Sequence, residues 1–131
     1  MLTRRGFAAC ALCAISGFFA VEASAQTSGL ERVILNQTDG PVAGYVTLSV
    51  RIEIAAGALV ARHTHPGIES TYLIEGGSEL SIDGQPTRQL QPGDAFQVPA
   101  NTPHSAKNGP IKSILASTFV VEKGKPLASP A

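Results

Sequence analysis

Residues 57–76 read Gly57-Ala58-Leu59-Val60-Ala61-Arg62-His63-Thr64-His65-Pro66-Gly67-Ile68-Glu69-Ser70-Thr71-Tyr72-Leu73-Ile74-Glu75-Gly76. Two residues apart on a strand, His63 and His65 share a face about 6–7 Å apart along the chain, so their imidazoles can converge on one ion. Pro66-Gly67 then turns the chain and brings Glu69 within reach as a hard oxygen donor. A third histidine, His104, follows another turn over 99–103. A His-x-His pair alone is more often two hydrogen-bonded or surface imidazoles than a metal site, so the surrounding pattern has to decide.

Outward from this stretch the chain reads as short strands. Val46, Leu48, Val50, Ile52 and Ile54 fall on one face of a strand, and Tyr45, Thr47, Ser49, Arg51 and Glu53 on the other. Before it, Arg32-Val33-Ile34-Leu35-Asn36 reads as a short strand ended by the turn Asp39-Gly40-Pro41. After it, turn signals recur at Gly57, Pro66-Gly67, Gly76-Gly77, Asp83-Gly84, Pro92-Gly93 and Gly109-Pro110, with runs of Val, Ile, Thr, Tyr and Phe between them. No helical periodicity interrupts them, which predicts an all-β sandwich or barrel. Residues 111–121 read as a closing strand and 123–131 as a tail.

The spacing of the fixed positions is specific. Gly57, five residues, His63, one, His65, three, Glu69, six, Gly76 reproduces the first cupin motif, a coincidence of five positions expected on the order of once in several million starting points. The second motif follows as Gly93, five residues, Pro99-Ala100-Asn101, two, His104, three, Asn108, with Asn101 where glycine is usual. Asn tolerates a left-handed backbone best among non-glycine residues, so the turn should survive.

The chain therefore resembles the cupin superfamily, in particular its small single-domain metal-binding members. The resemblance implies a double-stranded β-helix, a jelly-roll barrel of two antiparallel sheets with a metal near one mouth. Carried over residue by residue, the implied ligands are His63, His65, Glu69 and His104. Three imidazoles and a carboxylate suit Fe, Mn, Ni, Cu or Zn with open positions left for a small molecule. Gly57, Gly76 and Gly93 are read as turn residues, and Pro99 and Asn108 as residues that fix a loop. By strand parity the pocket wall should comprise Leu59, Ala61, Thr71, Leu73 and Ala106, with Thr71, Tyr72 and Gln97 as polar contacts.

At 131 residues the chain has room for one domain besides its first segment. Thr3-Arg4-Arg5-Gly6-Phe7 is a positive start, Phe7 to Val21 is largely apolar, and Ala23-Ser24-Ala25 is a small-residue cleavage site. Residues 1–25 thus read as an export signal cut before Gln26, with the cupin domain over 26–131 and a periplasmic or secreted location. Arg4-Arg5 resembles a twin-arginine signal, and an ordinary secretory signal that uses arginine fits too. Both cysteines, Cys10 and Cys13, lie in this segment, so 26–131 can form no disulfide. From residue 26 there are eight Lys or Arg (ten less Arg4 and Arg5) and nine Asp or Glu (ten less Glu22). A net charge near minus one offers nothing to nucleic acid or, after cleavage, to a membrane.

The resemblance implies a mononuclear metalloenzyme, most simply a dioxygenase acting on a small oxygenated compound, with Glu69 as ligand or as general base. Lyase, decarboxylase and isomerase reactions use the same ligands, and a binding module that captures a metal or small ligand is the alternative. A serine nucleophile is disfavoured because all three histidines are committed to the metal and cannot also activate one. A homodimer is expected, with Tyr45 and Thr47 on the candidate surface.

Overall fold

The computed structural model describes residues 28–131, all of them strand, turn or loop. The export signal, its cleavage site and both cysteines lie outside the described residues. The strands are β1 (Leu30–Asp39), β2 (Tyr45–Ile54), β3 (Leu59–Thr64), β4 (Gly67–Glu75), β5 (Ser78–Ile82), β6 (Arg88–Leu90), β7 (Ala95–Val98), β8 (His104–Asn108), β9 (Ser113–Glu122) and β10 (Ser129–Pro130). They form two five-stranded antiparallel sheets, ordered β1-β2-β9-β4-β7 and β10-β3-β8-β5-β6. This is the expected jelly-roll barrel.

Period-two patterning explains why the sheets face each other. In β2, Leu48, Val50, Ile52 and Ile54 are buried, as their alternation requires. They pack with Leu73 of β4, Val98 of β7, and Leu115, Phe119 and Val121 of β9. Phe119 and Leu73 are fully enclosed, each side chain stabilising the barrel by about 1.5–3 kcal/mol. The inward face of β9 also carries Ser113 and Ser117, small polar residues at positions that alternation assigns to the core.

Hydrogen bonds close the end of the barrel away from the histidines. Asn108 donates through Nδ2 to the carbonyls of Ile54, Ala55 and Ile111, and its Oδ1 accepts from Ser78 and Ser113. The loop-fixing role expected of Asn108 is thereby seen in detail. Asn101 has φ +56°, the one non-glycine residue with positive φ among the described residues, so it does adopt the left-handed turn. Gly67 is fixed by crowding: a Cβ there would lie 1.9 Å from the Val120 carbonyl oxygen across the β4–β9 pair.

Two expectations need correction. The β3–β8 register shifts between Val60 and His63, so the strand's parity flips at a bulge. Val60 is buried, whereas Leu59 and Ala61, expected on the pocket wall, are exposed. The supposed tail is also part of the barrel. Leu127 and Ala128 are buried, and β10 pairs with β3, setting Ser129 opposite Thr64 and Pro130 opposite His63.

Candidate metal centre

The four residues singled out by the motif meet at one end of the barrel. His63 comes from β3, His65 from just beyond its end, Glu69 from β4 and His104 from the start of β8, where it sits opposite His63. All four are buried. The imidazole centroids lie 4.8 Å (His63–His65), 4.1 Å (His63–His104) and 5.0 Å (His65–His104) apart. One ring nitrogen from each histidine lies within 4.8 Å of the others, so His63, His65 and His104 could hold a metal ion.

The ring orientations have a common cause. Nδ1 of His63 contacts the Ala61 carbonyl at 2.7 Å, Nδ1 of His65 the Leu127 carbonyl at 2.6 Å, and Nδ1 of His104 the Thr102 carbonyl at 2.9 Å. A carbonyl oxygen only accepts, so each Nδ1 carries a hydrogen and donates it. In the neutral imidazole each Nε2 then presents its lone pair, the arrangement that metal-bound histidines use.

Glu69 completes the polar cluster. Its Oε2 lies 3.1 Å from His65 Nε2 and 3.2 Å from His104 Nε2. Those two nitrogens have no hydrogen-bond partner, because neutral nitrogens and a carboxylate oxygen are all acceptors. Positive charge is needed between them, from protons on Nε2 or from a cation. Oε1 accepts a 2.6 Å hydrogen bond from Thr71, and Ser117 donates in turn to Thr71 at 2.6 Å, since the threonine proton is already used.

Electrostatics keep the donors in ligand form. Burial, reinforced by neighbouring His104, pushes the His63 pKa down to about 4, leaving it neutral at neutral pH. Burial would raise Glu69, but the adjoining His104 and His65 rings and the hydrogen bond from Thr71 outweigh it and hold the carboxyl well below the usual range. Three nitrogens and one oxygen are a fitting donor set for a first-row transition metal.

A cavity of about 50 Å³ opens beside the cluster, lined by His63, Glu69 and His104 together with Arg32, Val60 and Ala106. Ala106 was anticipated there. Thr71 and Leu73 do face inward, Thr71 against Glu69 and Leu73 in the core. Tyr72 and Gln97, expected as polar contacts, instead face outward, and Gln97 donates to Ser70 on the surface. Sequence reasoning missed the Leu127 carbonyl, Ser117 and Arg32. Only Arg32 left a signal, since period two sets it with Leu30 and Ile34 on one face of β1 as the lone charge.

Residues 50–110 match the family model described as "Cupin domain". The chain is 31% identical over 68 residues to dimethylsulfoniopropionate lyase DddQ of Ruegeria pomeroyi, a match covering 52% of this chain and 34% of that protein. The chain therefore spans about a third of that relative. Among solved structures, KdgF from Halomonas sp. superposes with a TM-score of 0.61 at 27% identity, over 73% of this chain and 83% of that one. An RmlC-like cupin from Shewanella frigidimarina gives 0.60 at 26% identity, over 83% and 95%. Residues 50–110 thus match the cupin domain model, and the described residues fold as a cupin-type jelly-roll barrel.

Proposed function

We propose that the chain is a mononuclear metalloenzyme, with His63, His65, His104 and Glu69 as ligands, that transforms a small oxygenated organic compound at the barrel mouth. The observation that supports it most is the locking of all three histidines through Nδ1, which leaves each Nε2 lone pair free, with Glu69 Oε2 3.1 Å and 3.2 Å from those of His65 and His104. A transition metal ion bound there would supply Lewis acidity towards a substrate oxygen. The chain's residues orient that centre, keep it dry with the ring of Phe119 4.8 Å from that of His65, and hold Glu69 through Thr71.

Lyase chemistry is our first reading, because the matching curated relative is named as a lyase. In that reading Glu69 would take a proton from carbon, the C–H electron pair forming a double bond as the neighbouring carbon releases its leaving group with the bonding pair, while Thr71 holds Oε1. A dioxygenase is the second reading, favoured by a three-histidine set that suits redox metals such as Fe, Mn and Cu. The deciding experiment measures metal content of protein from its native host, then screens stripped and reloaded protein on small enols, phenols and organic acids with and without oxygen. Anaerobic turnover supports the lyase, and oxygen uptake supports the dioxygenase. Turnover by metal-free protein would refute the metalloenzyme, and a loaded protein inert throughout would make this a binding module.

We further propose export with cleavage after Ala25, tested by an intact mass beginning at Gln26, and a homodimer, tested by light scattering. The exposed Ile68, Tyr72 and Ile74 on the outer face of β4 give that dimer an apolar surface besides Tyr45 and Thr47.

A further inference from the structure

The cavity beside the histidines holds a charge that the metal centre does not use. Arg32 projects from β1 into the same cavity as His63, Glu69 and His104, among Leu30, Ile52 and other apolar side chains. Its Nε is buried without a hydrogen-bond partner, and no ion pair among the described residues includes it. Glu69 is the acid whose field reaches Arg32, yet its oxygens are engaged by Thr71, His65 and His104.

Such a guanidinium is costly. Arginine stays charged at any physiological pH, and taking a charge out of water without a partner is unfavourable. Burial accordingly lowers its pKa from the ordinary value, with attraction to Glu69 offsetting only part. An exposed arginine of the opposite sheet shows the contrast: Arg62 is paired with Asp83 by two hydrogen bonds. An unpaired arginine edge matches a planar carboxylate, which accepts two parallel N–H bonds from it.

We infer that Arg32 is the recognition residue for the carboxylate of a small organic acid, held with its carboxylate at Arg32, its short apolar body in the cavity and its far end at the histidines. A cavity of about 50 Å³ limits the enclosed part to a few heavy atoms. Only the placement of the far end rests on the metalloenzyme reading. Anion capture by Arg32 stands without it.

The test measures binding of propanoate and of its neutral isostere propanamide by isothermal titration, in metal-loaded and metal-free protein. Metal content and circular dichroism are recorded for every sample. Wild-type protein should favour propanoate at least about tenfold in both forms, a difference of about 1.4 kcal/mol. Arg32→Gln should abolish the preference while folding and retaining metal, and Arg32→Lys should keep part of it as a point charge without the fork. A preference that survives in folded Arg32→Gln would overturn the inference, and so would its absence from metal-free wild type, since the metal would then be the anion site. Inorganic phosphate that competes as well as propanoate would overturn the carboxylate assignment. A protein that binds no metal but loses its preference with Arg32→Gln would uphold the inference while the metalloenzyme reading fails.

Discussion

The three histidines are held in place in two different ways. His63 and His104 each donate to the carbonyl two residues earlier, Ala61 and Thr102, so the conformation of a single short stretch sets each ring. His65 donates to the Leu127 carbonyl, 62 residues away, so its ring is set only when the chain's last segment has docked beside β3. Two donors are thus local products of their loops, and the third depends on long-range assembly. The difference teaches that the geometry of the candidate centre is coupled to closure of the barrel through one donor.

That contrast can be attacked most directly at the histidines. His63→Ala or His104→Ala should lower metal affinity by more than about a hundredfold, the upper range for residues that merely orient a ligand. Plasma emission analysis of dialysed protein reads this, and metal retained at one equivalent would remove those residues from the centre.

Next in size is removal of residues 127–131, which deletes the carbonyl that orients His65. Metal affinity should fall about 10- to 100-fold, while Leu127→Ala, which keeps the carbonyl, should mainly cost about 2–5 kcal/mol of stability. If the point variant loses as much metal as the truncation, side-chain packing rather than the carbonyl carries the effect.

The pH dependence of metal-free protein offers a third handle. An unfolded histidine titrates near 6.5, whereas folded His63 titrates at about 4, so between those values the unfolded chain binds more protons. Stability should therefore fall as pH drops from about 6.5 to about 4. The depressed Glu69 adds a further loss as pH falls below the ordinary carboxylate range. Denaturant melts of His63→Ala should show a shallower decline in that window, and an unchanged slope would contradict the assignment. Smallest of all, Thr64→Ala should leave metal content unaltered, because alternation sets Thr64 on the strand face opposite the buried His63 and His65.

Much of this was legible in the sequence because it rests on short-range rules. The alternation of Leu48, Val50, Ile52 and Ile54 placed β2, and Asn101 announced a left-handed turn. The histidine and glutamate spacing named four residues that the fold brings to one end of the barrel. What escaped depends on events that a period of two cannot register. The bulge after Val60 exchanged Leu59 and Ala61 for Val60 at the pocket. The pairing of Ser129 and Pro130 with β3 spans only two residues and follows a stretch with two lysines, so it gave no strand pattern. Tyr72 and Gln97 sit one residue away from the inward positions of β4 and β7, and the polarity that made them attractive as site residues instead suits the outer face.

Gly67 has an implication for how tolerance to substitution should be read. With the Val120 carbonyl 1.9 Å from where a Cβ would stand, every other amino acid must force β4 away from β9. In a saturation-mutagenesis screen, position 67 should consequently score as harshly as the neighbouring histidines, though it offers no donor atom and takes part in no reaction. Within this short turn, intolerance would be a record of steric exclusion as much as of chemistry, and only a metal-binding readout on soluble survivors would separate the two.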